Sequence, residues 1–184
     1  MQKKVLVPVS NGTEDVESTV IIDLLRRAEA EETVAGTHSQ VTYARGLKVI
    51  PDKLLSEISL AEDFDAVIIP GGQPGVDNLT DDRDLKEILK KHNAENKLTG
   101  AICAAPLLLK KHGLFEKNSV LTSFPALKNE FTDYNYSEHG VAVFENMITS
   151  RGLGTAIDFA LNIIEILYDS EKADNIAKEI VYTK

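Results

Sequence analysis

The sequence predicts an α/β fold, in which a mainly parallel β-sheet carries α-helices on both faces. The main observation is that short apolar runs alternate with longer amphipathic stretches along the 184 residues. A second is that several apolar runs end at glycine or proline, as buried strands often do. Helices that separate strands imply βαβ units, and such units place their strands in parallel.

The first half of the chain contains four predicted strands and one predicted helix. Val5–Val9 is a buried strand, and the helix from Glu14 to about Ala30 follows a short polar turn. Thr33–Ala35 is the next strand, closed by glycine, and Leu47–Ile50 is a short strand before a proline. Ala66–Ile69 is a buried strand that a Pro-Gly-Gly turn ends.

The middle of the chain continues the same alternation. The helix from Asp81 to about Asn93 has apolar residues on one face. Leu98–Ile102 is another buried strand, and the helix Ala104–His112 runs into a glycine that is placed to end it. Val120–Thr122 is predicted to be a short strand.

The last part contains two strands and two helices. Val141–Phe144 and Met147–Thr149 are predicted strands. Thr155–Tyr168 is the clearest helix of the chain, because its apolar residues form one stripe with polar residues opposite. A final helix spans about Ser170–Ile180.

Composition limits the class of protein. With 43% hydrophobic and 27% charged residues, and no linker or repeat, the chain fits one globular domain over residues 1–184. A net charge of −9 argues against general binding of nucleic acid or of anionic membranes. The chain has neither a signal-peptide pattern nor a membrane-spanning apolar run, so we expect a soluble cytoplasmic protein.

One cysteine lies where a functional site is expected. In open parallel sheets, sites form at the carboxyl ends of the strands, which directs attention to the loops after Val9, Ile69 and Thr149 and to Cys103. Cys103 follows a predicted strand and precedes a helix, between small residues, as in a nucleophile elbow. Such a position places the sulfur beside free N–H groups, which should lower the pKa of the thiol. The alternative is an inert buried cysteine.

Two further features favour the functional interpretation. The turn Pro70-Gly71-Gly72 could direct backbone N–H groups at a neighbouring site, as in an oxyanion hole. Glu17 shares a helix face with Ile21 and Leu24, so its carboxyl group should pack against the sheet, where burial raises its pKa. Glu17 could then donate a hydrogen bond to the sulfur or act as a general base. The alternative is a glutamate that only complements the helix dipole.

Other chemistries find little support. No histidine has metal-ligand spacing with another histidine, the cysteine or a carboxylate, so we expect no metal site. The loop Gly71–Gly75 is interrupted by proline and is not a dinucleotide-binding fingerprint, so we expect no cofactor. His92 lies on an apolar stripe and is expected to be structural.

These segments together resemble the DJ-1/ThiJ/PfpI superfamily, and within it the DJ-1 branch. The similarity covers essentially the whole chain, and its motifs are specific in this order and spacing. They are Asn11-Gly12-Thr13-Glu14-Asp15-Val16-Glu17, Ile69-Pro70-Gly71-Gly72, Ala101-Ile102-Cys103-Ala104-Ala105-Pro106, Phe124-Pro125-Ala126-Leu127-Lys128 and Ile148-Thr149-Ser150-Arg151-Gly152-Leu153-Gly154-Thr155-Ala156.

The resemblance implies a flavodoxin-like three-layer fold, a homodimer and a set of site residues. Cys103 would be the reactive residue, readily oxidised to a sulfinate, with Glu17 as its hydrogen-bond partner and the backbone of Gly72 and Ala104 as donors. The pocket would be lined by Gly71, Phe124, Pro125, Gly152 and Leu153, and the dimer interface would lie near Val16 and Arg45. Family activities are cofactor-free conversion of methylglyoxal to lactate, repair of early glycation adducts, and oxidative-stress protection with chaperone activity.

Three departures from the family pattern affect these expectations. Many members carry a pocket histidine where this chain has Phe124, and other branches place a histidine where it has Ala104, which argues against a cysteine protease. Glu17 is therefore the only obvious proton carrier. A peripheral cysteine of the family is replaced near Tyr43, so Cys103 is the only redox centre. The usual Gly-Pro-Gly reads Gly152-Leu153-Gly154, which would change one pocket wall.

Three hypotheses remain open from the sequence. The first is an enzyme in which Cys103 and Glu17 convert a small 2-oxoaldehyde, such as methylglyoxal, or its adducts to a 2-hydroxy acid. The second is a redox-sensing or chaperone protein whose Cys103 sulfinate is held by Glu17. The third is an inactive family member that serves as a dimeric binding module.

Overall fold

A computed structural model of the protein describes residues 2–183. Its centre is a seven-stranded sheet in which every neighbouring pair is parallel except the pair at one edge. The strands of the chain are β1 (Lys4–Val9), β2 (Glu31–Gly36), β3 (Val41–Thr42), β4 (Lys48–Val49), β5 (Lys53–Leu54), β6 (Ala66–Ile69), β7 (Leu98–Ile102), β8 (Val120–Leu121), β9 (Asn135–Tyr136), β10 (Val141–Phe144) and β11 (Met147–Ser150). The central sheet has the order β10-β11-β7-β6-β1-β2-β5, with β10 antiparallel to β11.

Two layers of helices cover this sheet. The helices are α1 (Asp15–Arg27), α2 (Gln73–Asp81), α3 (Arg83–Ala94), α4 (Pro106–Lys111), α5 (Ala156–Leu167) and α6 (Ser170–Glu179). The apolar residues of α1, α5 and α6 belong to one core cluster, and those of α2, α3 and α4 belong to a second. The structure is therefore the predicted three-layer α/β sandwich with a mainly parallel sheet.

The strands supply both cores because their side chains alternate between the two faces. In β1, Val5 and Val7 join the first cluster, whereas Leu6 joins the second. In β6, Ile68 and Ile69 divide between the clusters in the same way. A strand buried on both faces reads as a continuous apolar run, which is why these strands could be predicted from the sequence.

Helix α2 is the main element that the sequence analysis missed. The segment after Gly72 was expected to be a loop, with a helix from Asp81, but α2 spans Gln73–Asp81 and Asp82 caps the separate helix α3. Pro74 and Gly75 are poor helix formers in a helix interior, yet proline is tolerated in the first turn, where its missing N–H is not needed. Further differences include the short strands β3, β5 and β9, the 3-10 helix Pro125–Phe131, and helix α4, which begins at Pro106 rather than at Ala104.

The described helices are short compared with a lipid bilayer. Within residues 2–183, none is long and apolar enough to cross a membrane.

Candidate active site

Four loops meet at the carboxyl edge of the sheet because their strands are neighbours there. Strands β1, β6, β7 and β11 lie side by side, so the segments that follow Val9, Ile69, Ile102 and Ser150 lie together. These are the loops that the sequence analysis singled out. The site is thus a direct consequence of the strand order.

Cys103 occupies a strained turn between β7 and the helical segment after it. Its φ of +63° is in the left-handed region, which costs a residue with a side chain about 1–3 kcal/mol. Two neighbours hold this conformation. The Cys103 N–H donates to the Ser150 carbonyl at 2.9 Å, and the Cys103 carbonyl accepts from the Phe124 N–H at 2.8 Å. The backbone geometry is that of the predicted nucleophile elbow.

The glycine pair after β6 allows the backbone to approach the sulfur. A Cβ at Gly71 would collide with Cys103 Cβ and with the Glu17 carboxyl group, so a larger residue does not fit. Gly72 has a φ of +92°, a conformation that favours glycine. The backbone N–H groups of Gly72 and Ala104 lie beside the Cys103 sulfur and act to lower the pKa of its thiol.

Glu17 lies beneath the sulfur, in the first turn of α1. Its side chain is buried, with the residue only 1% exposed, and it makes a polar contact with Cys103. Glu17 Oε2 accepts a hydrogen bond from the Gly71 N–H at 2.9 Å, and the Leu153 N–H donates to the same carboxyl group. Burial is the largest effect on this carboxyl group and raises its pKa from 4.5 to about 7. Glu17 can therefore carry or release a proton near neutral pH.

The structure corrects the prediction that the pKa of the Cys103 thiol is low. Burial, together with the nearby Glu17 carboxylate, raises the pKa of the Cys103 thiol from 9.0 to about 12. The N–H groups of Gly72 and Ala104 act in the opposite direction but are outweighed. The low pKa predicted from the sequence reflects the N–H groups alone, without the desolvation of a sulfur packed between two loops. Cys103 is therefore held as the neutral thiol near neutral pH.

Phe124 lies beside Gly152 at the exposed edge of the site, here called the opening, and Leu153 follows Gly152 in the chain. Phe124 is 47% exposed and Leu153 is 52% exposed, whereas Cys103 is partly exposed. A Cβ at Gly152 would lie 3.7 Å from Phe124 Cδ2, 3.7 Å from Glu17 Oε1 and 3.9 Å from Cys103 Sγ. Pro125 is exposed and begins the 3-10 helix Pro125–Phe131, which leads away from the opening.

Val16 and Arg45 lie outside this opening. Val16 precedes Glu17 on α1 but is exposed, on the outer side of the helix. Arg45 is also exposed, and its backbone N–H donates to Asp15 Oδ2 at 2.7 Å. Both residues therefore face outward beside the site rather than into it.

Two contributors to the site were missed by the sequence analysis. The Ser150 carbonyl and the Leu153 N–H act through the backbone, so their residue types carry no signal. Only the pairing of β7 with β11 could have indicated them. His92, expected to be structural, is buried, and its Nε2 lies 2.8 Å from the Leu98 carbonyl oxygen. Within residues 2–183, no group of three or more His, Cys, Asp or Glu could hold a metal ion.

The fold and site define a class of protein: a flavodoxin-like α/β protein with a cysteine on a nucleophile elbow and a buried carboxyl group beside it. The family model "DJ-1/PfpI family" matches residues 3–166. This chain belongs to the DJ-1/PfpI family.

Three similar proteins illustrate the relationship. Protein DJ-1 homolog B of Arabidopsis thaliana is 40% identical over 178 residues, which are 95% of this chain and 40% of that protein. The glutathione-independent glyoxalase DJR-1.2 of Caenorhabditis elegans is 34% identical over 183 residues, covering 98% of this chain and 96% of that protein. The structure of oxidized Toxoplasma gondii DJ-1 has a TM-score of 0.94 and 40% identity, covering 99% of this chain and 100% of that one. The chain spans less than half the length of the two Arabidopsis relatives that it matches.

The raised pKa of Glu17 predicts a pH-dependent contribution to stability. The folded protein binds the Glu17 proton more tightly than the unfolded chain does. The contribution is therefore fully present below pH 4.5 and is lost as the pH rises through about 7. At about 1.4 kcal/mol per pH unit, the loss amounts to about 3 kcal/mol. Glu17→Gln, which does not titrate, should gain about 3 kcal/mol relative to wild type over this range, measured by urea unfolding.

Glu165→Gln is the control, because Glu165 is an exposed carboxylate on α5. Its unfolding free energy should follow that of wild type at every pH. A constant difference between wild type and Glu17→Gln from pH 4.5 to about 7.5 would contradict the assignment.

Proposed function

We propose that this protein is a cysteine-dependent enzyme that converts small 2-oxoaldehydes such as methylglyoxal, or their adducts, to 2-hydroxy acids, with Cys103 as nucleophile and Glu17 as proton carrier. The observation that supports this most is the contact between a partly exposed thiol and a carboxyl group with a pKa of about 7. The glyoxalase name of the Caenorhabditis elegans relative supports the same class of reaction.

The first step is attack of the sulfur on the aldehyde carbon. The Cys103 proton passes to Glu17, and the resulting thiolate forms a C–S bond while the aldehyde oxygen gains the negative charge. The N–H groups of Gly72 and Ala104, already directed at the sulfur, can stabilise this oxyanion. Transfer of a proton to this oxyanion then gives a neutral hemithioacetal.

Glu17 next moves a proton between the two carbons of the substrate. As a carboxylate it removes the proton from the former aldehyde carbon, which leaves an enediolate, and a proton passes from the hydroxyl group on that carbon to the oxygen on the adjacent carbon. As a carboxylic acid it returns a proton to the adjacent carbon, which gives a thioester of the 2-hydroxy acid. A pKa of about 7 allows one group to serve in both directions near neutral pH.

Water completes the reaction by hydrolysing the thioester. The C–S bond breaks, Cys103 regains its proton, and the products balance as one 2-oxoaldehyde and one water giving one 2-hydroxy acid. Phe124 has no titratable group, so it cannot assist as an acid or base. Each proton transfer therefore falls to Glu17 or to water.

This mechanism predicts that two substitutions stop lactate formation from methylglyoxal in the absence of glutathione. Cys103→Ala removes the nucleophile and should abolish turnover. Glu17→Gln retains the shape but cannot accept a proton, so we expect kcat to fall about a hundredfold or more. Lactate can be measured with a coupled dehydrogenase assay.

Glu165→Gln serves again as the control, since it changes a carboxylate on α5 far from the elbow, and it should retain wild-type turnover. Wild-type turnover no higher than that of Cys103→Ala would eliminate the mechanism.

We propose as the second candidate a redox-responsive protective role, with or without chaperone activity, in which Cys103 is oxidised to a sulfinate. The arrangement of the site favours it, because two backbone N–H groups and a protonated Glu17 could donate hydrogen bonds to sulfinate oxygens. Two molecules of peroxide would each supply one oxygen and be reduced to water. The related Toxoplasma gondii structure is described as oxidized.

This role predicts an oxidation that stops at two oxygen atoms. Intact-mass analysis after mild peroxide should show two added oxygens, absent in Cys103→Ala. Glu17→Leu removes the hydrogen-bond donor but suits a buried position, and it should pass more readily to the three-oxygen sulfonate. Resistance of the wild type to peroxide, or direct progression to sulfonate, would count against this role.

We also propose that the protein is a homodimer and that it acts in the cytoplasm as one domain over residues 1–184. The dimer would use the outer side of α1 near Arg45. Val16 and Leu47 are exposed apolar residues there. The Leu47 N–H donates to Asp15 Oδ1 at 3.0 Å, which joins this loop to the start of α1. Exposed apolar residues that cluster in this way are typical of protein interfaces.

The dimer interface can be tested with one charge substitution. Val16→Glu would bury a carboxylate between the two chains, so light scattering after size exclusion should show a monomer where wild type gives a dimer. The control is Val181→Glu, at an apolar position that is 86% exposed and far along the chain. A monomeric wild type, or an unchanged Val16→Glu dimer, would refute this interface.

A further inference from the structure

The opening above Cys103 has an apolar wall, here defined as the side chains of Phe124 and Leu153. Both are about half exposed, although large apolar residues are more stable when buried. Isolated apolar residues on a surface are ordinary, but these two lie next to the same glycine, Gly152, beside a partly exposed sulfur. Their position at the site is what requires an explanation.

Phe124 is held in place relative to the reactive sulfur. Its N–H donates to the Cys103 carbonyl at 2.8 Å, and Pro125 follows it with a fixed φ at the start of a 3-10 helix. The Phe124 ring and the Cys103 sulfur each lie within 4 Å of the position that a Gly152 Cβ would occupy. A substrate carbon bonded to the sulfur would therefore carry its substituent into the neighbourhood of the ring.

The polar groups at the site already interact with the atoms that would react or with the Glu17 carboxyl group. The Gly72 and Ala104 N–H groups serve the sulfur and the oxyanion, and the Gly71 and Leu153 N–H groups bind Glu17. These backbone groups are therefore not free to bind a charged or hydroxylated substituent on the substrate.

We infer that the apolar wall makes Phe124 a specificity-determining residue that favours 2-oxoaldehydes with an aryl or bulky alkyl substituent over those with a methyl or a hydroxylated chain. The inference rests on the proposed function, since it names the substrate class for the same site. An aromatic substituent can pack against the Phe124 ring, edge-to-face or offset-stacked, and cover the exposed part of Leu153. A hydroxylated chain would instead lose water without gaining hydrogen bonds.

The test compares phenylglyoxal with methylglyoxal in wild type, Phe124→Ala, Phe124→Leu and Ile166→Ala. Ile166 is the matched control because it is apolar and 45% exposed but lies on α5, away from the elbow. Phe124→Ala should lower the ratio of kcat/KM for phenylglyoxal to that for methylglyoxal about tenfold, mainly through KM for phenylglyoxal. Phe124→Leu should retain most of the ratio, and Ile166→Ala all of it. The use of a ratio within each variant cancels the different intrinsic reactivity of the two aldehydes.

A second measurement separates this inference from the proposed function. Phenacyl bromide carries a phenyl group and bromoacetone a methyl group, so the two reagents differ as phenylglyoxal and methylglyoxal do. Each alkylates a thiolate with loss of bromide and no further proton transfer. The ratio of their rates at Cys103, followed by intact mass, should also fall in Phe124→Ala. If no 2-oxoaldehyde is turned over but this ratio falls, the enzyme proposal fails and the apolar wall stands. If turnover depends on Cys103 but neither ratio changes more than in Ile166→Ala, the apolar wall is refuted and the enzyme stands.

Discussion

The contact between the Glu17 carboxyl group and the Cys103 thiol is the interaction on which the site depends. Burial raises the pKa of both groups, and the Glu17 charge raises the pKa of Cys103 further, whereas the hydrogen bond with Cys103 lowers the pKa of Glu17. Near neutral pH Cys103 therefore keeps its proton, whereas Glu17 is close to half-protonated. In the proposed mechanism this carboxyl group accepts the thiol proton, so the sulfur needs no basic residue beside it.

The crowding that makes this contact possible also explains the residues around it. Gly71 is needed because a side chain there would collide with both members of the pair. Gly72 is needed because its backbone turns through a positive φ and directs its N–H at the sulfur. The strained Cys103 is held by hydrogen bonds to β11 and to Phe124, which come from distant parts of the chain. Strain at the nucleophile is thus stabilised by the pairing of strands rather than by its own neighbours in sequence.

The sequence was sufficient for the sheet and for the identity of the pair, and the reasons are physical. Strands such as Ala66–Ile69 and Leu98–Ile102 match their predicted bounds. Ala66–Ile69 is an unbroken apolar run, as expected of a strand buried on both faces, and Leu98–Ile102 is apolar or small apart from Thr99. Glu17 was found because its position on the apolar stripe conflicts with its charge. Helix α2 was missed because proline and glycine in its first turn resemble a loop signal.

What the sequence could not supply is the balance of opposing effects on Cys103. A helical N-terminus lowers the pKa of a thiol, whereas desolvation and a neighbouring carboxylate raise it. Only the packing shows that desolvation and the carboxylate outweigh the N-terminus. The proposed mechanism nevertheless does not require a resting thiolate. Glu17 can take the proton as the C–S bond forms, and the charge that then develops lies on the substrate oxygen, where the N–H groups of Gly72 and Ala104 can stabilise it. Donors that stabilise a resting thiolate only weakly would therefore lower the barrier more than they lower the energy of the ground state, which is the condition for a faster reaction.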